Sequence, residues 1–313
     1  MTAPVESLAH YAALVKEART RRPLMENALL LPGEAEALAA AGRLSYVRWE
    51  GGLAVREDRG VYARLHLWAD PERALMLPGS GGRGESAGPG TAGTKNAGAP
   101  GKGASFSNKP LLVELMCTDA RRPPLQEKLE ERLLEAGFRR EAVARRMAFA
   151  GVNLGGSGGA AAGNLGGGKG AAVVSADKGW ESAILELWRK TFDPVVNQLP
   201  DRAELRRALS EGRVLAAVKD GALLGALMAE FGVRYGWIWH QAVDPGHRGA
   251  GVGRALSLAY FDLAARRGIA RHRLFVVDGT GAEDFHRRFG FERDGTVCEQ
   301  YILRPGKISD NVK

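Results

Sequence analysis

The feature that most constrains the fold is a strand, a glycine turn and a helix that follow one another between residues 237 and 264. The first part is apolar and aromatic, which is typical of a buried strand, and the last part repeats apolar residues at helical spacing. The turn between them is Arg248-Gly249-Ala250-Gly251-Val252-Gly253. Its alternating glycines leave the N–H groups at the helix start unobstructed. The sequence therefore predicts an anion site there, suited to a phosphate or pyrophosphate.

The spacing of the glycines argues against two other phosphate-binding turns. A dinucleotide-binding turn has the spacing GxGxxG and usually opens the first strand–helix unit of a sheet, whereas this turn lies late in the chain. A Walker loop requires Gly-Lys-Ser/Thr, which is missing from this turn. The remaining alternative is a tight strand–helix turn in which glycine only relieves crowding.

Length and composition indicate two domains. The chain has 313 residues, enough for two cores, and two Gly-rich tracts interrupt it. Residues 78–108 have almost no apolar side chains and are predicted to form a disordered insertion. A Gly/Ala tract at 151–171 is predicted to be a flexible linker between a first domain at 1–150 and a second at 172–313.

Charge and cysteine content say less about function than the glycine turn does. The net charge of +8 comes from dispersed Lys and Arg, which suits an anionic ligand or weak nucleic-acid binding equally well. Cys117 and Cys298 have no metal-ligand spacing and cannot form a disulfide framework, so no metal is expected. The N-terminus lacks the apolar core of a signal peptide, and no apolar run has the length of a membrane span. The expectation is a cytoplasmic protein with no membrane partner and of open oligomeric state.

The two halves of the chain end alike, which indicates a duplicated domain. Each ends with a strand, a helix and a Gly-Phe pair, Gly137-Phe138 in the first half and Gly290-Phe291 in the second. Each also begins with two helices and a hairpin. Because the first half carries the insertion where the second has its glycine turn, we expect the first half to lack the phosphate site. The alternative is that the similar ends are a coincidence.

Two motifs of the second half resemble those of the GNAT superfamily of N-acyltransferases. The Arg248–Gly253 turn, behind a strand that ends Val-Asp-Pro, resembles motif A, and the strand–helix–Gly290-Phe291 unit resembles the end of motif B. The resemblance covers about residues 172–304, and 1–150 is similar to a degenerate copy. It implies an α/β (α+β) fold of two tandem GNAT-like domains, each a mixed, mostly antiparallel sheet flanked by helices. It also implies that the fourth and fifth strands of the second domain splay apart.

The resemblance implies acyl-coenzyme A as co-substrate, with acetyl-CoA as the favoured donor and its thioester between the splayed strands. In the family, the strand backbone pairs with the pantetheine arm and the N–H groups of the turn hold the pyrophosphate. The positions that match these roles here are Ala242, Val243, Arg248, Gly249, Ala250, Gly251, Val252, Gly253, Arg254 and Ala255.

Direct attack of an amine on a thioester requires a base or water chain, an oxyanion donor and an acid for the leaving thiolate. Many family members place a tyrosine acid where this chain has His286, which either donates the proton or is a solvent-facing helical residue. His240 is the candidate base or a hydrogen-bonded core residue, and Glu230 is a weaker candidate. The Val243 N–H is the candidate oxyanion donor. Gly279 departs from the family, which often has an asparagine there that touches the pantetheine arm.

The predicted activity is therefore N-acetyl transfer from acetyl-CoA to a primary amine of a small molecule, peptide or protein. Tyr235, Trp237 and Trp239 either line a pocket for an apolar or aromatic amine or belong to the core. Because the family's tyrosine and asparagine are replaced, a non-catalytic acyl-CoA-binding sensor is the alternative. A tRNA-dependent aminoacyl ligase, which also pairs two such domains, ranks last because those ligases do not use the coenzyme A loop.

Overall fold

The computed structural model describes residues 3–20, 25–26, 32–49, 52–70, 109–119, 123–150 and 171–305. The predicted insertion at 78–108 lies outside the described residues, and so does the predicted linker except Ala171. None of the helices in these ranges is long and apolar enough to cross a membrane. The described residues form two compact units.

The first unit contains the described residues within Met1–Leu115, Arg122–Arg140 and Tyr301–Lys313. Its elements are β1 (Ala3–Pro4), α1 (Leu8–Arg19), β2 (Met25–Glu26), α2 (Pro32–Ala40), β3 (Leu44–Trp49), β4 (Gly52–Asp58), β5 (Ala63–Ala69), β6 (Leu111–Thr118) and α3 (Pro124–Glu135). The strand order is β1-β3-β4-β5-β6, and β2 pairs with β5. β5 and β6 run parallel, whereas the other pairs are antiparallel. One apolar core includes α3, and a second lies under α1 and α2.

The second unit contains the described residues within Met116–Arg121 and Glu141–Gln300. Its elements are β7 (Arg139–Ala150), β8 (Ala172–Ser175), α4 (Glu181–Thr191), α5 (Arg202–Ser210), β9 (Val214–Lys219), β10 (Ala222–Phe231), β11 (Gly236–Val243), α6 (Val252–Arg266), β12 (Arg271–Val277), α7 (Ala282–Arg287) and β13 (Glu292–Leu303). The strand order is β13-β7-β12-β11-β10-β9-β8, with β11 and β12 parallel. One core lies under α6, and the other lies under α4 and α5. The predicted mixed, mostly antiparallel sheet flanked by helices is confirmed.

The units differ from the predicted domain bounds, because each half of the chain contributes the end of its last strand to the other unit. From Glu141 onward β7 belongs to the second unit, where it pairs with β12 over seven residue pairs. Its Phe149 packs against Phe291 with ring centroids 5.6 Å apart. From Tyr301 onward β13 belongs to the first unit, where the Tyr301 hydroxyl donates to Glu130 of α3 at 2.6 Å.

Two structures in the second half are set by a few consecutive residues. Asp201 is the N-cap of α5, and it accepts from the Glu204 N–H at 2.9 Å while the Glu204 carboxylate accepts from the Asp201 N–H at 3.0 Å. The β9–β10 hairpin turns at Asp220 and Gly221, whose φ angles are 51° and 77°. Two successive positive φ angles match the right-handed twist of a hairpin.

Candidate active site

β11 and β12 separate part of the way along their length. They pair at Gly236–Ile238 with His272–Leu274. Beyond these pairs β11 continues to Val243 and β12 to Val277, and in this fully described segment the two strands no longer pair with each other. The gap between them is called the wedge. It is the predicted splay of the fourth and fifth strands of the second half.

A β-bulge lies where the wedge begins. The register between β10 and β11 shifts at Trp239, which is the extra residue of β11. Before the bulge, Ile238 belongs to the core under α6, and after it Ala242 belongs to the core under α4 and α5. The bulge thus re-aims the strand, and it leaves the Trp239 side chain 47% exposed.

The backbone direction of β11 bears on two of the predicted contacts. The Asp244 N–H donates to the Leu224 carbonyl of β10 at 2.9 Å. Because successive residues of a strand turn their backbone groups to opposite edges, Ala242 also faces β10, whereas Gln241 and Val243 face the wedge. Val243 remains a candidate for pairing with the pantetheine arm. By this alternation the Ala242 backbone is turned toward β10, although Ala242 lines the cleft, and its pairing with the pantetheine arm stays a prediction.

A cleft of about 920 Å³ occupies the wedge. Its walls come from β11, β12, the start of α6, α7 and the segment after α4. Both predicted histidines, His240 and His286, line it. Of the described residues, Glu230 and Gly279 are not part of this lining. The Glu230 carboxylate accepts from Arg213 at 2.7 Å instead, so the weaker base candidate lies away from the cleft.

The turn after β11 is held by Asp244. Its carboxylate accepts from the Lys190 ammonium and from the Gly246 N–H, both at 2.9 Å. These two hydrogen bonds lower the pKa of Asp244 to about 2. The carboxylate is therefore ionised at neutral pH and paired with Lys190. It also caps the short 3₁₀ helix Pro245–His247.

The N-terminus of α6 lies at the cleft. Gly251 is its N-cap with φ 84°, a conformation that an L side chain adopts only at a cost. The first bond of the helix runs from the Ala255 N–H to the Gly251 carbonyl at 3.0 Å, so the N–H groups of Val252, Gly253 and Arg254 precede it. The first turn of α6, which is fully described, has no acidic side chain. These donors and the positive end of the helix dipole suit an anion.

The predicted cradle position Ala255 is corrected by its hydrogen bond, whereas Ala250 stays a prediction. The Ala255 N–H is used inside the helix, and its side chain is buried. The Ala250 N–H lies 3.4 Å from the His247 carbonyl, and Ala250 is not among the cleft-lining residues described. Arg248, Gly249 and Arg254 are exposed and line the cleft.

Gly253 and Gln241 fix the position of α6 beside the wedge. A Cβ at Gly253 would lie 3.3 Å from the Phe285 ring of α7 and 3.5 Å from Val243, so a glycine permits this close approach. The Gln241 Nε2 donates to the Gly253 carbonyl at 2.9 Å and to the Ser257 hydroxyl at 3.1 Å. Gln241 therefore ties β11 to the first turns of α6, a role that the sequence pattern did not indicate.

His240 is both a hydrogen-bonded core residue and a wall of the cleft. It is 4% exposed, and its ring lies 5.2 Å from Trp188 and 6.2 Å from Phe192. Its Nε2 lies 2.8 Å from the Asn197 carbonyl, so this nitrogen carries the proton. The Nδ1 lone pair has no hydrogen-bond partner among the described residues. Burial lowers the pKa of His240 to about 4, which leaves the ring neutral at pH 7.

His286 is buried, which overturns its interpretation as a solvent-facing helical residue. It is 7% exposed, and its ring contacts those of Phe285 and Phe291 at 5.0 and 5.7 Å. Burial lowers the pKa of His286 to about 4. A neutral imidazole at pH 7 donates a hydrogen bond, but it has no imidazolium proton to give away.

These pKa values limit the chemistry of the cleft. A lysine ammonium has a pKa of about 10 and a peptide α-ammonium one of about 8, both far above the value of about 4 for His240 and His286. Neither histidine can therefore hold a proton taken from such an ammonium at neutral pH. The arrangement suits an amine that arrives neutral or loses its proton to solvent.

Comparisons with known proteins agree with this geometry. Residues 181–291 match the family described as Acetyltransferase (GNAT) family. A GCN5-related N-acetyltransferase from Sphaerobacter thermophilus has a similar structure over 98% of this chain and 96% of its own, with 17% identity and a TM-score of 0.54. A tandem GNAT protein from the clavulanic acid biosynthesis pathway matches over 98% of both chains, with 14% identity and a TM-score of 0.51. No curated protein sequence matches this chain.

The matched segment includes α4, the wedge, the glycine turn and the start of α6. At identities below 20% the two solved structures show the fold alone. Residues 181–291 are a GNAT-family domain, and the chain has the fold of tandem GNAT proteins.

Proposed function

We propose that the second unit transfers an acetyl group from acetyl-CoA to a primary amine by direct attack of the amine on the thioester. The observation that carries this proposal is that the wedge leads to the first N–H groups of α6. An extended arm fits between strands whose facing edges do not pair, and the helix N-terminus suits the pyrophosphate. Arg248 and Arg254, which line the same cleft, add positive charge.

The cleft residues divide the remaining roles. The Val243 N–H, which faces the wedge, is the proposed donor to the developing oxyanion. His286 donates a hydrogen bond toward the leaving thiolate from its neutral ring. Water carries the proton away from the amine, because the pKa of His240 is about 4.

Calorimetry of acetyl-CoA binding tests the cradle. Gly251→Glu places a carboxylate at the N-cap of α6, and we expect micromolar binding by the wild type to be lost. Gly268→Glu is the control, because Gly268 also has a positive φ, of 71°, but follows the C-terminus of α6. A Cβ at Gly268 would meet no atom within 4 Å. Equal binding by wild type and Gly251→Glu would contradict the cradle. One site per chain is expected, since the first half is predicted to lack the turn.

Thiol release with a panel of amines tests the transfer. A second candidate is acyl-CoA binding without catalysis, and the neutral ring of His286 in place of an acid favours it. Binding without turnover of any amine would support this candidate over transfer. Failure of the wild type to bind acetyl-CoA would refute both.

A further inference from the structure

One face of the second unit carries stacked rings that lead away from the cleft. Trp237 stacks on Trp239 and on Phe275, with centroids 6.2 and 6.1 Å apart and interplanar angles of 25° and 17°. The Arg273 guanidinium lies 3.6 Å from the centre of the Tyr235 ring and 5.7 Å from that of Trp237. These five residues are called the aromatic strip. Trp239 and Phe275 line the cleft, so the strip begins where an acceptor would enter.

The far end of the strip is strongly cationic. Arg234 precedes Tyr235 in the chain, and Arg271 hydrogen-bonds the Tyr235 side chain. With Arg273, three guanidinium groups therefore surround one ring, and none of them has an ion-pair partner among the described residues. The Nε atom of Arg273 is buried, and it has no hydrogen-bond partner among the residues that the structure describes. Hydrogen bonding from Arg271 and the charge of Arg273 lower the pKa of Tyr235.

The acid on the neighbouring strand β10 does not neutralise this cluster. Glu230 stands opposite Trp237 on β10, but its carboxylate is held by Arg213 at 2.7 Å. Arg146 of β7 stands opposite Phe275 and is paired with Asp294 at 2.7 Å. Arg234, Arg271 and Arg273 thus have no ion-pair partner among the described residues and are available to a charged ligand. Like charges this close repel, and an anionic ligand would relieve the repulsion.

We propose that the aromatic strip binds the acceptor, which is an extended polypeptide with its free α-amine at the wedge and acidic side chains against Arg234, Arg271 and Arg273. This inference rests on the proposed acyl transfer and names the substrate class of the same site. Arginines beside aromatic rings can form charge-assisted bonds with carboxylates while the rings cover apolar side chains.

The length of the aromatic strip predicts where the acidic residues lie in the sequence of the acceptor peptide. Tyr235 lies four residues before Trp239 on β11, which corresponds to about 13 Å along a strand. An extended peptide covers this distance in about four residues, so its acidic side chains belong at about positions four to six. An α-amine is favoured over a lysine amine, because its lower pKa leaves more of it neutral in a cleft without a strong base.

Two lysine-free hexapeptides with free N-termini test the proposal. Both carry Phe at position two, and one has Asp at positions four to six where the other has neutral Ser. We expect the wild type to acetylate the acidic peptide with at least a tenfold higher kcat/KM, and the double variant Arg234→Glu/Arg271→Glu to lose this preference. Both side chains are exposed, so the fold should tolerate the change. Arg189→Glu/Arg207→Glu, an equal double charge reversal at exposed positions of α4 and α5, is the control and should keep the preference.

Binding of the two peptides, measured by fluorescence anisotropy, makes the test independent of turnover. Equal affinities and rates for both peptides would overturn the proposal, and so would an unchanged preference in the double variant. Tighter binding of a single-stranded RNA oligonucleotide than of the acidic peptide would also overturn it, because rings and arginines suit nucleic acid as well. If small amines are acetylated but neither peptide is, this inference fails while the proposed transfer stands. If no amine reacts, the transfer fails, and the anisotropy result still decides whether the strip binds acidic peptides.

Discussion

Mild acid should destabilise the second unit, because it buries neutral histidines. His240, His272 and His286 each have a pKa lowered by burial from 6.5 to about 4. Below pH 6.5 each of these histidines binds a proton in the unfolded chain. In the folded chain the same histidine stays neutral until the pH falls to about 4. The stability contributed by the neutral rings is therefore complete above pH 6.5 and is lost progressively toward pH 4.

The size of the effect follows from the number of protons. Near pH 5 each histidine contributes close to one proton of difference, or about 1.4 kcal/mol per pH unit, so the three together give a slope of about 4 kcal/mol per pH unit. Each site contributes about 3 kcal/mol over the whole window, which together is comparable with the total stability of a domain, about 5–15 kcal/mol. Asp244, with its pKa lowered to about 2, titrates mainly below this window.

Urea unfolding followed by tryptophan fluorescence between pH 5 and 7 measures this slope. His286→Phe should reduce it by about 1.4 kcal/mol per pH unit, since one titrating ring is removed. Ile238→Val is the matched control. It should lower the free energy of unfolding by about 1 kcal/mol through lost packing in the core under α6, but it removes no titrating group. A wild type equally stable at pH 5 and pH 7, or an unchanged slope in His286→Phe, would refute the argument.

Three further substitutions test single contacts. Asp201→Ala removes the capping box of α5 and should lower the free energy of unfolding in urea by about 1 kcal/mol, with acetyl-CoA binding unchanged in calorimetry. Gln241→Leu removes the bonds to Gly253 and Ser257 and should weaken acetyl-CoA binding about threefold to tenfold, whereas an unchanged Kd would show that Gln241 does not position α6. Tyr260→Phe removes the buried hydroxyl that lies 3.0 Å from His272 Nδ1 and should lower the free energy of unfolding by about 1–2 kcal/mol, measured in the same urea assay.

The glycine turn could be predicted from sequence because its physics is local. The unpaired N–H groups of a helix start, the dipole and the freedom of Gly251 at φ 84° all depend on a few consecutive residues. The capping box at Asp201 and the hairpin at Gly221 are local in the same way. The wedge is different, because no residue pattern in β11 marks where its pairing with β12 ends. It was expected only through the family resemblance.

Contacts between distant parts of the chain account for what the sequence could not predict. The carbonyl that fixes the tautomer of His240 belongs to Asn197, which is 43 residues away. His286 has arginine neighbours in the sequence, yet Phe291 and the strand packing around it bury its ring. The exchange of the ends of β7 and β13 depends on which strands pair, and alternation along a strand specifies a face but not a partner.

The parallel strand pair of each unit can be aligned by its first residue pair, which shows which residues of the first unit correspond to those of the aromatic strip. β5 and β6 pair in parallel from Ala63 with Leu111, as β11 and β12 do from Gly236 with His272. In this alignment Arg64 has the position of Trp237. Glu57, opposite Arg64, then has the position of Glu230, which is opposite Trp237.

At these positions the first unit has charges that satisfy one another. Glu57 is fully buried, forms an ion pair with Arg59, and has Arg64 at 3.8 Å and the His66 ring at 3.1 Å. Burial alone would raise its pKa, but the hydrogen bond from His66 and the charges of Arg64 and Arg59 lower the pKa of Glu57 to about 2. A carboxylate engaged in this way has no binding capacity left for an incoming amine or cation, and removing one partner would leave a buried charge unpaired. At the equivalent positions of the second unit, Glu230 is paired with Arg213 and Trp237 carries no charge, so the proposed acceptor would meet an aromatic ring there. The first unit uses the same positions to stabilise its own fold.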